Sequence, residues 1–386
     1  MPLLTAPVGI IGLAVLAVAA SYAVLTIAAV LVWHLRGAAA HSLRLPPVTV
    51  LKPLCGAEPG LYEHLRSFCS QDFRQYQIVF GVRDPADPAL SVVERLRAEF
   101  PALAIEVVAN PQQHGTNSKV SNLINMFGRA RHDVLVIADS DTFVKPDYLS
   151  TVTAPLLNPT VGMVTCIYRD LPTQRIWSRL GAMYINEWYM PAVLLARLFG
   201  HRSYASGQTL CLRRETLQAV GGLRAIASHL ADDYRLGELV RGLGLQIVMS
   251  PHVVMAEHDE PNCDSLMRHE LRWMRTIHVL RPRSFRLMFL TFSLPLALLG
   301  IALNAAQPVF STPAWALLST TVMVRFALHF LHRRRGALPL FEDFWLVPAR
   351  DMLLCWVWCQ SFFCSRFTWR DNEFDVDADG VMHRQS

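Results

Sequence analysis

Apolar and polar positions divide the chain into an N-terminal apolar run, a long mixed region and a second apolar stretch. From Pro2 to Trp33 no charged side chain occurs, and a run of that length crosses a hydrocarbon core of about 30 Å. Nothing basic precedes it, and it is too long for the core of a cleaved leader, so an uncleaved anchor is expected. From residue 46 to about 283, short runs rich in β-branched residues alternate with helical patterns. The runs Val48–Leu51, Gln77–Val82, Ile105–Val108, Val134–Ala138 and Gly162–Thr165 read as strands, and Leu90–Phe100 and Asn117–Arg129 as helices between them. This rhythm predicts an α/β domain whose mostly parallel sheet is flanked by helices on both faces. In such sheets the ligand site lies beyond the carboxyl ends of the strands.

After Arg286 the chain turns apolar again. Leu287–Ala306 and Ala314–Leu331 are each long enough for a span, and Arg333-Arg334-Arg335 marks a return to the cytoplasm. Phe344–Cys364 is interrupted by Arg350 and Asp351. An interfacial or re-entrant helix fits it, and so does a third C-terminal span. The organisation expected is an anchor over 1–34, a cytoplasmic domain over 46–283, membrane segments over 284–366 and a polar tail over 367–386.

Composition strengthens this picture: 52% of residues are hydrophobic and 17% charged. His34, Arg36, His41 and Arg44 follow the anchor while nothing basic precedes it, which puts the N-terminus outside and the mixed region in the cytoplasm. The eight cysteines are scattered without a CxxC pair, so neither a disulfide framework nor a zinc site is suggested. A net charge of +5 suits anionic lipid head groups. Nothing resembles a nucleic-acid footprint, and no nucleic-acid partner is expected.

Three acidic sites stand where expected strands end or in loops. Asp84 follows the strand ending Gly81-Val82-Arg83, Asp139-Ser140-Asp141 follows Val134–Ala138, and Asp232-Asp233 lies in His229–Tyr234. An Asp-x-Asp at a strand end suits a hard divalent ion that also holds a diphosphate. A turn or helix cap would use the same residues, and Asp84-Pro85 reads equally as a turn. Asp232-Asp233 sits near a helix start, where capping competes with general-base chemistry. On a helix the two side chains point in different directions, so one of them reaches an acceptor. Asp264–Leu280 has helical periodicity and carries His269-Glu270-Leu271-Arg272-Trp273. His269 and Trp273 share a face there, with Arg272 beside them. Arginine grips a phosphate through two donors. Alternatively Arg268, Arg272 and Arg275 meet lipid head groups on a membrane-surface helix.

In order and spacing, Asp84, Asp139-Ser140-Asp141, Asp232-Asp233-Tyr234 and the x-x-Arg-Trp helix resemble the ceramide glucosyltransferase family, with its D, D, D, (Q/R)xxRW pattern. Val82–Ala89, Asn117–Leu123, Gly207–Arg214 and Gly221-Gly222-Leu223 read like family blocks, and the likeness covers about residues 46–283 plus the anchor. The resemblance implies a GT-A type mostly parallel sheet flanked by helices, with one N-terminal and two to three C-terminal membrane segments. It implies that Asp84 contacts the uridine end of a UDP-sugar, and that Asp139 and Asp141 face the diphosphate and its Mg²⁺ or Mn²⁺. Asp233 matches the family's third Asp and becomes the base, while Arg272 and Trp273 complete the diphosphate and acceptor side. His269, in the Gln or Arg place, joins the donor-binding set with its role open. Asp232 and Lys119 are secondary candidates. One inverting displacement giving a β-glycoside on a lipid in the bilayer is implied.

Asp139-Ser140-Asp141 is fuller than the Asp-Ser-Gly of animal ceramide enzymes, and the Ala- and Arg-rich composition resembles a GC-rich bacterial gene. Both details look closer to the bacterial branch associated with hopanoid synthesis. N-acetylglucosamine transfer to bacteriohopanetetrol in a bacterial inner membrane is therefore expected, with UDP-glucose and ceramide as the alternative. A processive polysaccharide synthase needs more membrane helices, and a catalytically silent membrane scaffold would have lost its carboxylates.

Overall fold

A computed structural model describes residues 2–35, 44–305, 311–336, 338–363, 367–369, 372–377 and 379–384. The basic flank at Arg36 and His41, the end of the last apolar stretch at Cys364, and Arg366, Arg370 and Asp371 lie outside the described residues. The chain forms two compact units. One comprises Arg36–Thr173, His201–Asp259 and Thr368–Ser386; the other comprises Met1–Leu35, Gln174–Gly200 and Glu260–Phe367. The division therefore does not follow chain order, as the expected 46–283 domain does.

The first unit is built on an eight-stranded sheet: β1 (Val48–Pro53), β2 (Tyr76–Val82), β3 (Ala104–Ala109), β4 (Val134–Ile137), β5 (Thr142–Phe143), β6 (Val161–Asp170), β7 (Leu210–Arg213) and β8 (Gln246–Ala256), ordered β3-β2-β1-β4-β7-β6-β8-β5. Strands β3, β2, β1 and β4 run parallel, and β6 runs parallel to β8. Only β7 and the short β5 pair antiparallel, with β4 and β6 and with β8 respectively. The expected mostly parallel α/β sheet is present. Every residue of β1 and β6 is buried, so these mainly apolar strands show no regular alternation, and the polar side chains they carry, such as Lys52 and Asp170, are buried too. A core of Leu51, Val79, Leu123, Leu135, Met163 and Leu212 joins sheet to helices.

Three strands of this sheet have no counterpart in the sequence reading, nor do the three short strands Phe367–Trp369, Asn372–Val376 and Met382–Arg384 in the expected polar tail. β5 is two residues long and β7 four. β8 contains Pro251 within Ser250-Pro251-His252, and its pairing with β6 shifts register there between Cys166 and Ile167. Proline removes a ladder donor, so the pattern breaks while the strand continues through a bulge.

In the second unit Pro7–His34 (28 residues) and Ser311–Arg335 (25 residues) are long and apolar enough to cross a membrane. Gly12 and Gly300 let two helices approach: a Cβ on either would lie 2.9 Å from the other's carbonyl oxygen. The span expected over Leu287–Ala306 is bent, in a form that fits a broken span or a re-entrant loop. Pro282–Thr291 and Ser293–Asn304 meet at a 67° bend. Pro295, in the first turn of the second helix, has no N–H for a helix arriving from before it. The last apolar stretch forms only Leu346–Gln360, and its 15 residues are too short for a straight span. Its interrupting charges are buried and paired, Arg350 with Glu270 and Asp351 with Arg325.

Candidate active site

β2, β1 and β4 are parallel neighbours, so their carboxyl ends share one edge of the sheet. Asp84 lies beyond β2 and Asp139 beyond β4 on that edge. Asp84 is exposed, and its Oδ1 accepts the Ala86 N–H at 2.8 Å, so the turn expected at Asp84-Pro85 is formed. One carboxylate oxygen serves the turn and the other is available to a ligand.

Asp139 sits in a built cluster. The helix Ser118–Phe127, capped by the Asn117 side chain, presents Lys119 from its first turn. The Lys119 ammonium lies 2.5 Å from Asp139 Oδ1 and 3.6 Å from Asp232 Oδ2. Because β7 runs antiparallel to β4 with Leu210 opposite Ile137, the loop before β7 passes beside Asp139. Gly207 in that loop donates its N–H to Asp233 Oδ2 at 2.9 Å. A Cβ there would fall 2.9 Å from Asp139 Oδ2 and 3.0 Å from Lys119 Nζ, so a side chain at this position would displace those two groups from their present contact. Asp139, Lys119, Asp232 and Asp233 are thus assembled at one place.

Asp232 and Asp233 open the helix Asp232–Gly242, whose N-cap is Ala231 without a side-chain cap bond. Asp232 turns to Lys119 and to Asn117 Nδ2 at 3.5 Å, whereas Asp233 holds the Gly207 and Tyr234 N–H groups. Their directions differ as expected. Burial, and then the charge of Asp232, push the Asp233 carboxyl up to about 6 despite Lys119. Burial opposes the charge on Lys119, but Asp139 and then Asp232 outweigh it and hold the ammonium well above its ordinary value.

Asp141 faces a different cation. β5 pairs Thr142 with Ala256, and β6 pairs Asp170 with Ala256, so Asp141, Asp170 and His258 converge. His258 Nε2 lies 3.3 Å from Asp141 Oδ2, and its Nδ1 lies 2.9 Å from Asp170 Oδ1. A ring with both nitrogens on carboxylates is a double donor, the imidazolium form. Burial opposes that form, yet Asp170 and Asp141 raise His258 well above its ordinary value. For Asp141, burial is outweighed by the His258 hydrogen bond and charge, and then Lys52, which bring it down to about 2. Asp141 Oδ1 is buried without a hydrogen-bond partner. Among the described residues no three His, Cys, Asp or Glu side chains form a ready metal cage.

Lys52 completes the floor. Its ammonium donates to the Asp139 carbonyl at 2.5 Å and to Thr142 Oγ1 at 3.0 Å, and burial pulls it down to about 7 against Asp141 and Asp139. The sequence reading missed Lys52, Asp170 and His258, and named Gly207 only as the start of the block Gly207–Arg214. Lys52 had a signal, a charge ending the apolar run Val48–Leu51. Asp170 and His258 had none beyond polarity.

His269, Arg272 and Trp273 lie on the helix Cys263–Leu280 of the other unit. His269 Nδ1 meets Glu260 Oε1 at 2.7 Å, and its ring is 4.0 Å from that of Trp273. Trp273 also stacks on Tyr184 at 5.3 Å. Glu270, on the same helix, is fully buried against the Arg350 guanidinium.

The sequence model of glycosyl transferase family 21 matches residues 13–382. The chain belongs to that family. Two ceramide glucosyltransferases are similar to it: number 1 of Caenorhabditis elegans, 24% identical over 232 residues (60% of this chain, 50% of its own), and that of Candida albicans strain SC5314, 29% identical over 152 residues (36% and 28%). The chain spans about half the length of the Caenorhabditis elegans relatives it matches. Among solved structures, the mannosyltransferase PcManGT from Pyrobaculum calidifontis, in complex with GDP-Man and Mn²⁺, superposes with a TM-score of 0.52 at 21% identity, covering 89% of this chain and 99% of that one. This family 21 chain thus shares the GT-A fold, with membrane helices attached.

Proposed function

We propose that this family 21 chain is an inverting glycosyltransferase that moves a sugar from a UDP-sugar onto a lipid hydroxyl. The observation that carries the reading is the Asp139–Lys119–Asp232–Asp233 cluster at the sheet edge where donors bind in α/β folds. Asp233 takes the proton of the acceptor hydroxyl as its oxygen bonds to the anomeric carbon and the bond to the diphosphate breaks. Gly207 N–H orients that carboxylate, and Lys119 faces charge gathering on the leaving UDP. Asp84 contacts the uridine end, and Arg272 and Trp273 serve the diphosphate.

Asp139 and Asp141 are the residues to hold a divalent ion, Mg²⁺ or Mn²⁺, and the orphaned Asp141 Oδ1 is an oxygen suited to it. Bound there, the ion neutralises negative charge on the diphosphate.

The donor and acceptor proposed are UDP-N-acetylglucosamine and bacteriohopanetetrol, in a bacterial inner membrane with the sheet-bearing unit in the cytoplasm. The Asp-Ser-Asp run and the Ala- and Arg-rich composition support this. The names of the curated relatives favour a second reading, glucose transfer to ceramide. Membranes containing the protein, given each donor with each lipid and analysed by mass, distinguish the two. N-acetylglucosaminyl-bacteriohopanetetrol is expected; glucosylceramide alone overturns the first reading.

A further inference from the structure

Within the helical unit a cavity of about 30 Å³, near the middle of the two candidate spans, is lined by charged and hydroxyl side chains set among apolar ones such as Trp188, Phe292, Leu328 and Leu354. Arg325, on Ser311–Arg335, is buried, and its Nη1 donates to Glu187 Oε2 at 2.7 Å. Its Nε and Nη2 donate to Asp351 at 2.9–3.1 Å. His329 Nδ1 meets Glu187 Oε1 at 2.7 Å. Tyr22 and Thr26, from Pro2–His34, complete the lining, and the Tyr22 hydroxyl is buried without a hydrogen bond of standard geometry. Charges at this depth are costly, so they mark function unless a neighbour demands them.

Two backbone irregularities meet at the same cavity. The 67° break at Phe292 puts Thr291, Phe292 and Ser293 on its wall. Glu187 is delivered by the π-helical turn Ile185–Tyr189. Broken helices at membrane depth are tolerated where they line a cavity, and π turns recur at functional sites.

We propose that this cavity binds a hydroxyl or amide group of the lipid acceptor, an inference that rests on the lipid-transferase reading above. Glu187 and Asp351 share the Arg325 guanidinium and the His329 ring, and their roughly eight lone-pair sites still outnumber those donor atoms, which favours an occupant that donates O–H or N–H. A molecule reaching the cavity from among apolar helices whose outer faces expose Ile10, Leu25, Trp315 and Met323 must itself be an amphiphile. A cavity of this size takes one or two groups of water size, which suits a single polar group while the rest of the lipid stays among the helices.

The test uses the full chain in detergent with Tyr22→Phe and Thr26→Val, singly and together, and bacteriohopanetetrol and ceramide as separate probes. Retention of each lipid is read by native mass spectrometry without donor, alongside KM for lipid, KM for UDP-sugar and Tm. The double variant is expected to retain less of the accepted lipid and to raise its KM about five- to tenfold, with donor KM and Tm unchanged. Equal lipid retention and equal lipid KM in a folded double variant overturn the proposal and leave the cavity to water. If the wild type glycosylates neither lipid, the acceptor reading fails, whereas retention without donor still reports on the cavity.

Discussion

The Lys119 ammonium lies 2.5 Å from Asp139 Oδ1, so the first acid of the Asp-Ser-Asp run meets a cation that the protein itself supplies. Lys119 is also the cation nearest Asp232, and its charge opposes the upward shift of Asp233.

Lys119→Met leaves Asp139, Asp232 and Asp233 without that cation. The Asp233 carboxyl should then titrate higher still, moving the acid limb of the pH–rate profile to higher pH. kcat/KM should fall about a hundredfold, in the range lost with one charge-stabilising group. An unmoved acid limb would show that the pair is structural only.

Transfer should rise with pH through about 6 as Asp233 ionises. Asp233→Asn should lower kcat by about 10²- to 10⁴-fold with donor binding retained. The stability sign is opposite. A carboxyl raised in the folded state binds its proton more tightly than in the unfolded chain, so folding loses stability as pH climbs from about 4 to 6. Asparagine cannot ionise, and its single oxygen keeps the Gly207 N–H while giving up that of Tyr234. The variant's Tm should therefore fall less than that of wild type as pH climbs from about 4 to 6, which differential scanning fluorimetry reads directly.

Asp141, held down at about 2, is ionised at any working pH. Asp141→Asn should weaken divalent-ion dependence strongly in a Mn²⁺ titration. His258→Gln, which loses one support of Asp141, should shift the same titration about ten- to a hundredfold. Identical midpoints in both variants and wild type would remove Asp141 from the metal assignment.

Glu270 and Arg350 form a buried pair, Nη2 to Oε2 at 2.8 Å, tying Cys263–Leu280 to Leu346–Gln360. Glu270→Ala strands the guanidinium and should cost about 3–5 kcal/mol. The double replacement by methionines should recover most of that loss in a thermal melt. A double variant as unstable as the single one would contradict the account.

The strands β1 to β4 and the start of β6 were legible because each is a short apolar run bounded by polar residues, and burial of one element leaves a local trace. The helices Ala89–Glu99, Ser118–Phe127 and Cys263–Leu280 were legible by the same logic at a different period. β8 was not, since Pro251 and its bulge erase the pattern. The bend within the span expected at Leu287–Ala306 was not legible, because composition reports apolarity and is blind to the break at Phe292.

The sequence by itself determined the acids at strand ends, their order, and a chain with both a sheet-forming region and helices fit for a membrane. Tertiary structure alone decided which cation each acid meets: Lys119 for Asp139 and Asp232, His258 for Asp141 and Asp170, Arg325 for Glu187 and Asp351. Periodicity records how one segment sits against the core. A pairing between residues tens of positions apart depends on strand order and on a reversed β7, and on helices meeting around Arg325, which no local pattern encodes.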